Sequence, residues 1–223
     1  MNQVEDLMAQ LVAEHSEPLH PDLVPYKETS KGEWEMLRHP LVYQVPFRSN
    51  GSANAQYAQK LKAVKEALGS WNYSQYVFLH ERPYRVEAFK KIEKQLGIVN
   101  YWQLLTQVWV DTENQYAYLD DWKKLLASDR RDRHYMMNEE DDNILRSLPD
   151  EVTIYRGCQK GLNENGLSWT LDKSKAEFFA NRFGKKGIIL ERKIPKSEIV
   201  ALLTVRGETE VIWGLNNEML YLQ

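Results

Sequence analysis

Three short segments near the end of the chain hold residue types that do chemistry together: Arg156 in Tyr155-Arg156-Gly157, the hydroxyls of Ser168-Trp169-Thr170, and the carboxylates of Glu208-Thr209-Glu210. An arginine keeps its charge and can grip a phosphate through two parallel hydrogen bonds. Two short hydroxyls spaced two apart share one face of a strand, where they orient a carboxylate or a ribose hydroxyl without adding charge. Two carboxylates at that spacing repel unless a cationic ligand, a cationic transition state or a neighbouring arginine compensates. Each segment alone also has an ordinary structural reading: a strand-end arginine in an ion pair, hydroxyls filling a strand, a solvated strand end. The ordered set, inside about sixty residues, points to one polar site on a small sheet, which is an enzyme's layout.

The elements that must position these residues are legible around them. Val152-Thr153-Ile154-Tyr155 is β-branched and aromatic, so it predicts a strand delivering Arg156, with Gly157 letting the backbone approach a ligand. Alternation puts Ser168 and Thr170 on one face and Leu167 and Trp169 on the other. Asp172 or Ser174 opens a helix, since Ser174 to Glu177 has capping-box spacing, and Phe178, Phe179 and Phe183 read as its core face. Glu208 and Glu210 precede Val211-Ile212-Trp213, and strand geometry points both carboxylates the same way.

Upstream the pattern changes. Apolar residues recur at helical spacing over Val4 to His15, Ala55 to Leu68, Arg85 to Leu96, Tyr101 to Val110 and Tyr116 to Ala127, punctuated by Gly51, Gly69 and Gly97. The charged run from Ser128 to Asp142 reads as a solvated, self-neutralising linker, and Asn143 to Leu148 as a short helix. Trp102, Trp109, Trp122, Tyr101, Tyr116 and Tyr118 read as packing between helices and sheet. The expected fold class is α+β: a mainly helical region over 1–150 that recognises a target or covers a cleft, then a β-rich region of two small packed sheets over 151–223.

With those residues in view, residues 151–223 resemble the mono-ADP-ribosyltransferase family, in its cholera-toxin-like branch, whose signature is an arginine, then Ser-x-Ser/Thr, then Glu/Gln-x-Glu. The matches are Arg156, Ser168-Trp169-Thr170 and Glu208-Thr209-Glu210; the interval between Arg156 and Ser168 is short and leaves no room for the helical insert of many members. The resemblance implies an ADP-ribosyltransferase-like β-sandwich with NAD as co-substrate and no metal. It implies that Glu210 holds the ribose 2′-hydroxyl and supports an oxocarbenium-like cation, and that Glu208 orients or deprotonates the acceptor. Arg156 then binds an NAD phosphate, the Gly157 backbone meets the nicotinamide carboxamide, Ser168 holds Glu210, and Thr170 completes the hydroxyl pair. Glutamate at 208 favours arginine on a host or cellular protein as the acceptor, with RNA or DNA as the alternative. A toxin, a phage factor that modifies its host and a defence effector all fit. An NAD glycohydrolase on the same face and a non-catalytic interaction domain remain the competing readings.

Composition narrows the partners. A net charge of -3 gives no general attraction to nucleic acid or anionic membrane. The five histidines show no metal-ligand spacing, and the lone Cys158 permits no intramolecular disulfide. Cys158 lacks a basic partner in the sequence and reads as a half-buried thiol. The first residues lack a basic segment followed by an apolar run, and no stretch approaches bilayer length, so a cytoplasmic location without a membrane partner is expected.

Overall fold

A computed structural model describes residues 17–30, 32, 34–182, 184 and 186–215. The helix expected over Val4 to His15, Phe183 and residues 216–223 lie outside the described residues. The chain forms two compact units, Met1–Lys94 and Gln95–Gln223. The division falls in the 3-10 turn Glu93–Gln95 and not near Asp150, so the helices that follow Gln95 belong with the sheet that carries the three segments.

The first unit holds a sheet that helical periodicity did not reveal. Strands β1 (Lys27–Thr29), β2 (Glu35–His39) and β3 (Val42–Gln44) pair antiparallel in that order. Two of them are three residues long, too short for alternation to stand out. Helices α1 (Asn50–Gly69), α2 (Tyr73–Leu79) and α3 (Arg85–Ile92) follow. Ser49 caps α1 by accepting from the Ser52 amide and Asn72 caps α2 by accepting from that of Gln75. Leu37, Ala53, Val77 and Phe89 are fully buried.

The second unit opens with α4 (Ile98–Asp111) and α5 (Leu119–Leu126), matching the expected periodic segments. Their apolar faces bury Tyr101, Trp102, Leu105, Trp109, Trp122 and Leu126 almost completely, an aromatic core of the kind that dominates packing energetics. The acidic run is not a linker: Glu139 to Asp142 form the first turn of α6 (Glu139–Ser147). Negative charge is favoured at that end by the helix dipole. Asn138 and Asp141 make a capping box, and Asp141, buried, also accepts from the amide and hydroxyl of Thr204.

The remaining elements are β4 (Glu151–Cys158), β5 (Ser168–Thr170), α7 (Lys173–Asn181), β6 (Ile188–Pro195), β7 (Ala201–Leu203) and β8 (Glu210–Ile212). The strands form one antiparallel sheet in the order β6-β4-β5-β8-β7. Two packed sheets were expected over 151–223; the described residues of that region make a single sheet, and the other sheet is that of residues 27–44. Its apolar face gathers Val152, Ile154, Trp169, Ile194 and Val211, with Trp213 edge-on to Trp169. The class is thus mixed α and β, and among the described residues no helix is long and apolar enough to cross a membrane.

Candidate functional site

The sheet order sets the three chemistry-bearing segments side by side on β4, β5 and the start of β8. Register aligns Tyr155 with Thr170 and Thr170 with Glu210. Ser168, two residues before Thr170, lies diagonally across from Glu210 on the same face. Its hydroxyl donates to Glu210 Oε1 at 2.5 Å. The indole of Trp109, from α4, donates to the same oxygen at 3.2 Å. These two neutral donors orient the half-buried carboxylate.

Arg156 is engaged by backbone carbonyls of its own sheet and loop. Alternation sends it off β4 on the face of Val152 and Ile154, so the guanidinium is half-buried. Its Nε donates to the Asn163 carbonyl at 3.0 Å and its Nη1 to the Ser168 carbonyl. Nη2 lies against Gly166, where an added Cβ would fall 2.1 Å from it. Arg156 therefore ties the loop before β5 to β4. Burial lowers its pKa from the ordinary value, while the charge of Glu210 acts in the opposite direction.

Two other site residues also have structural contacts of their own. A Cβ on Gly157 would lie 1.9 Å from the Ala176 carbonyl oxygen and 2.6 Å from the Ala180 amide, so the close approach this glycine permits is to α7. The hydroxyl of Thr170 accepts from the Asp172 amide and turns the chain into α7. Asp172 is the cap of that helix, accepting from both the amide and the hydroxyl of Ser174, and these bonds hold its carboxyl below the usual range. Of the aromatics assigned to the core, Phe178 is 64% exposed, and Phe179 is half-buried on a pocket wall.

That pocket lies wholly within the second unit. Its lining includes Arg156, Gly157, Ser168, Thr170, Glu208 and Glu210. Glu208 is not on β8: it follows the 3-10 turn Val205–Gly207 in extended conformation, and β8 begins at Glu210. The pair expected to project from one strand is thus one loop residue and one strand residue on the same cavity. Cys158 also lines it, buried, and desolvation raises its thiol pKa, so the protonated, unreactive form is favoured.

Sequence reasoning missed the polar groups that other segments bring to this cavity. Trp109 had been read as packing, and no local signal could show that its indole reaches a carboxylate 101 residues away. Lys175 and Arg182 line the cavity from α7 and the residue after it. Trp122 Nε1 and Asn163 Oδ1, on two further lining residues, are buried without a hydrogen-bond partner among the described residues. Buried polar groups are nearly always paired, so orphans beside a cavity mark a place where a ligand or water completes the bonding. No family model, curated protein or solved structure matches the chain.

Proposed function

We propose that the chain is an NAD-dependent mono-ADP-ribosyltransferase acting on an arginine side chain of a protein, built on an ADP-ribosyltransferase-like catalytic sheet. The observation that carries this reading is the Ser168–Glu210 pair: a strand-borne serine holds a strand-borne glutamate in a pocket, beside a second glutamate two residues earlier. The arrangement suits heterolysis of the bond between ribose C1′ and the nicotinamide nitrogen. The bonding electron pair leaves with neutral nicotinamide, and positive charge develops on the ribosyl ring. A carboxylate already oriented by Ser168 and Trp109 stabilises that charge without reorganising, which is where electrostatic catalysis gains most.

Glu208 then receives the proton that the acceptor nitrogen loses as it bonds to C1′. Its place in a loop at the cavity wall, rather than on the strand, suits a group that meets a second substrate arriving from solvent. Arg156 shapes the pocket by joining β4 to the loop before β5.

The test is incubation of the purified chain with labelled NAD and a cell lysate, with and without nuclease, beside Glu210→Ala and Glu208→Ala. A nuclease-resistant protein label lost in Glu210→Ala is the expected result. Nicotinamide release without label would move the assignment to an NAD glycohydrolase, and NAD neither bound nor consumed would leave an interaction domain.

A further inference from the structure

We propose that the outer face of the three-stranded sheet in the first unit, formed by Trp34, Arg38 and Tyr43, binds a single-stranded nucleic acid, with bases stacked on the two aromatic rings and a phosphate on the guanidinium. The inference is independent of the NAD reading and concerns residues 17–94 alone.

The face follows from the register. Met36 and Arg38 project from the same side of β2, and Arg38 Nη2 donates to Met36 Sδ at 3.3 Å. Tyr43 on β3 pairs directly with Arg38, and Glu28 on β1 pairs with Met36, so both share that side. Trp34 continues the alternation just before β2: its carbonyl accepts from the Ser30 amide at 2.9 Å, which extends the β1–β2 ladder by one pair. The opposite side carries Leu37 and Val42, both fully buried, whereas Trp34 is 63% exposed and Tyr43 36%. Large rings left on the solvent side of a sheet add little to the core, and exposed apolar surface gathered on one face marks a binding surface.

Arg38 indicates the kind of ligand. Among the described residues its side chain has poor company for a guanidinium: a Glu28 carboxylate oxygen at 3.8 Å, the thioether of Met36, and nothing for the buried Nε. A charged donor in that state gains from an anionic acceptor. The side chain is 43% exposed, so a rotamer change that leaves Met36 presents all of its N–H groups to a phosphate. An apolar protein segment laid on the face would desolvate Arg38 and Glu28 and answer neither. A nucleotide strand offers flat rings and anionic oxygens together, which is what two aromatic rings beside an arginine can take.

The distribution of charge fits. The net charge of -3 is not evenly spread: residues 17–94 hold twelve Lys and Arg against nine Asp and Glu. The attraction that the whole chain lacks is present in the unit that carries this face.

The experiment is fluorescence anisotropy of labelled oligothymidylate and oligouridylate strands of about twelve nucleotides, titrated with the full chain at low salt. Wild type is compared with Trp34→Ala/Tyr43→Ala, Trp34→Phe, Arg38→Gln and Trp71→Ala; the last removes another exposed indole, 72% exposed in the turn between α1 and α2. Expected is saturable binding to either strand, weakened about tenfold or more in the double variant and little changed in Trp34→Phe and Trp71→Ala. Arg38→Gln should reduce the slope of log affinity against log salt by about 0.7, the share of one phosphate on a single strand.

Both replaced rings lie outside the core, so lost binding in the double variant is not lost folding. No binding by wild type would overturn the proposal, as would an equal loss in Trp71→Ala or an unweakened double variant. A wild type that binds neither strand but self-associates through Trp34 would give the face to a second copy of the chain. Nicotinamide release plays no part in the readout, so this proposal and the transferase reading fail separately.

Discussion

In residues 17–94 most of the buried and half-buried polar groups pair with one another, whereas in residues 95–215 several of them line a cavity. The Tyr57 hydroxyl donates to Asp22 at 2.7 Å, Lys60 pairs with Glu81 at 2.5 Å, and His80 Nδ1 meets the Tyr76 carbonyl at 2.8 Å. His39 accepts from the Leu41 amide at 3.0 Å and so sets the turn between β2 and β3. Arg38 Nε is the exception that stays unpaired. In the second unit, Arg156, Cys158 and Glu210 crowd one pocket, and Trp122 and Asn163 add polar atoms without partners. The same chemistry of buried polarity thus serves cohesion in one unit and surrounds a cavity in the other. Concentrating poorly satisfied groups around a cavity costs stability and is the usual mark of a site.

The sharpest way to break this contrast is Glu210→Gln. It preserves shape and hydrogen-bonding capacity while removing the charge, so nicotinamide release should fall by about a thousandfold, with thermal unfolding nearly unchanged. A glutamine variant of wild-type activity would remove the chemical meaning of the Ser168–Glu210 pair. Next in size is Gly157→Ala. The methyl group would sit 1.9 Å from the Ala176 carbonyl oxygen, so α7 must move off β4. The expected loss is about 1–3 kcal/mol in urea unfolding, with weaker ADP-ribose binding. A variant of unchanged stability would show that α7 does not rest on this glycine.

Why some of this was legible in the sequence follows from the range of each signal. Apolar spacing over Tyr101 to Val110 or Ala55 to Leu68 repeats for several turns, and both segments lie within helices. β4 was legible because Val152-Thr153-Ile154-Tyr155, at its start, is β-branched and aromatic. β1 and β3 give alternation only three residues to act in. The roles of Thr170 and Asp141 were hidden because one hydroxyl or carboxylate can serve a ligand, a cap or a loop equally well. The choice depends on which backbone amide folding brings beside it. Glu208 was misplaced because residue types do not show where strand pairing stops: its backbone is extended, yet β8 begins only at Glu210. The Trp109 contact was invisible because nothing in residues 95–111 encodes the position of a strand a hundred residues later.

Trp109→Phe asks how much that long-range contact matters. Phenylalanine keeps an aromatic ring beside Trp122, whose ring lies 4.9 Å away centroid to centroid, but cannot donate to Glu210. Loss of one donor leaves the carboxylate less firmly oriented towards the developing charge. The rate at neutral pH should fall about tenfold at unaltered KM for NAD. A rate equal to wild type would return Trp109 to a packing role.

The smallest expected effect belongs to the first unit and concerns its neutral histidines. Burial lowers the pKa of both His39 and His80. For His39 the charge of Asp22 opposes the shift and His80 adds to it. For His80 the carbonyl of Tyr76 opposes it, while Lys91, Lys60 and Arg85 add to it. A folded-state pKa below 6.5 means that the unfolded chain binds protons first as pH falls. Stability is therefore full above about pH 6.5 and declines below it, towards the folded-state values. Hydrogen exchange, corrected for intrinsic rates, should show protection over residues 35–92 falling between pH 7 and pH 5, more steeply than over the strands of residues 151–212. His39→Asn supplies a non-titrating acceptor for the Leu41 amide and should flatten part of that fall. Protection that declines equally in both units would mean that the closed polar network of the first unit is no more acid-sensitive than the open one of the second.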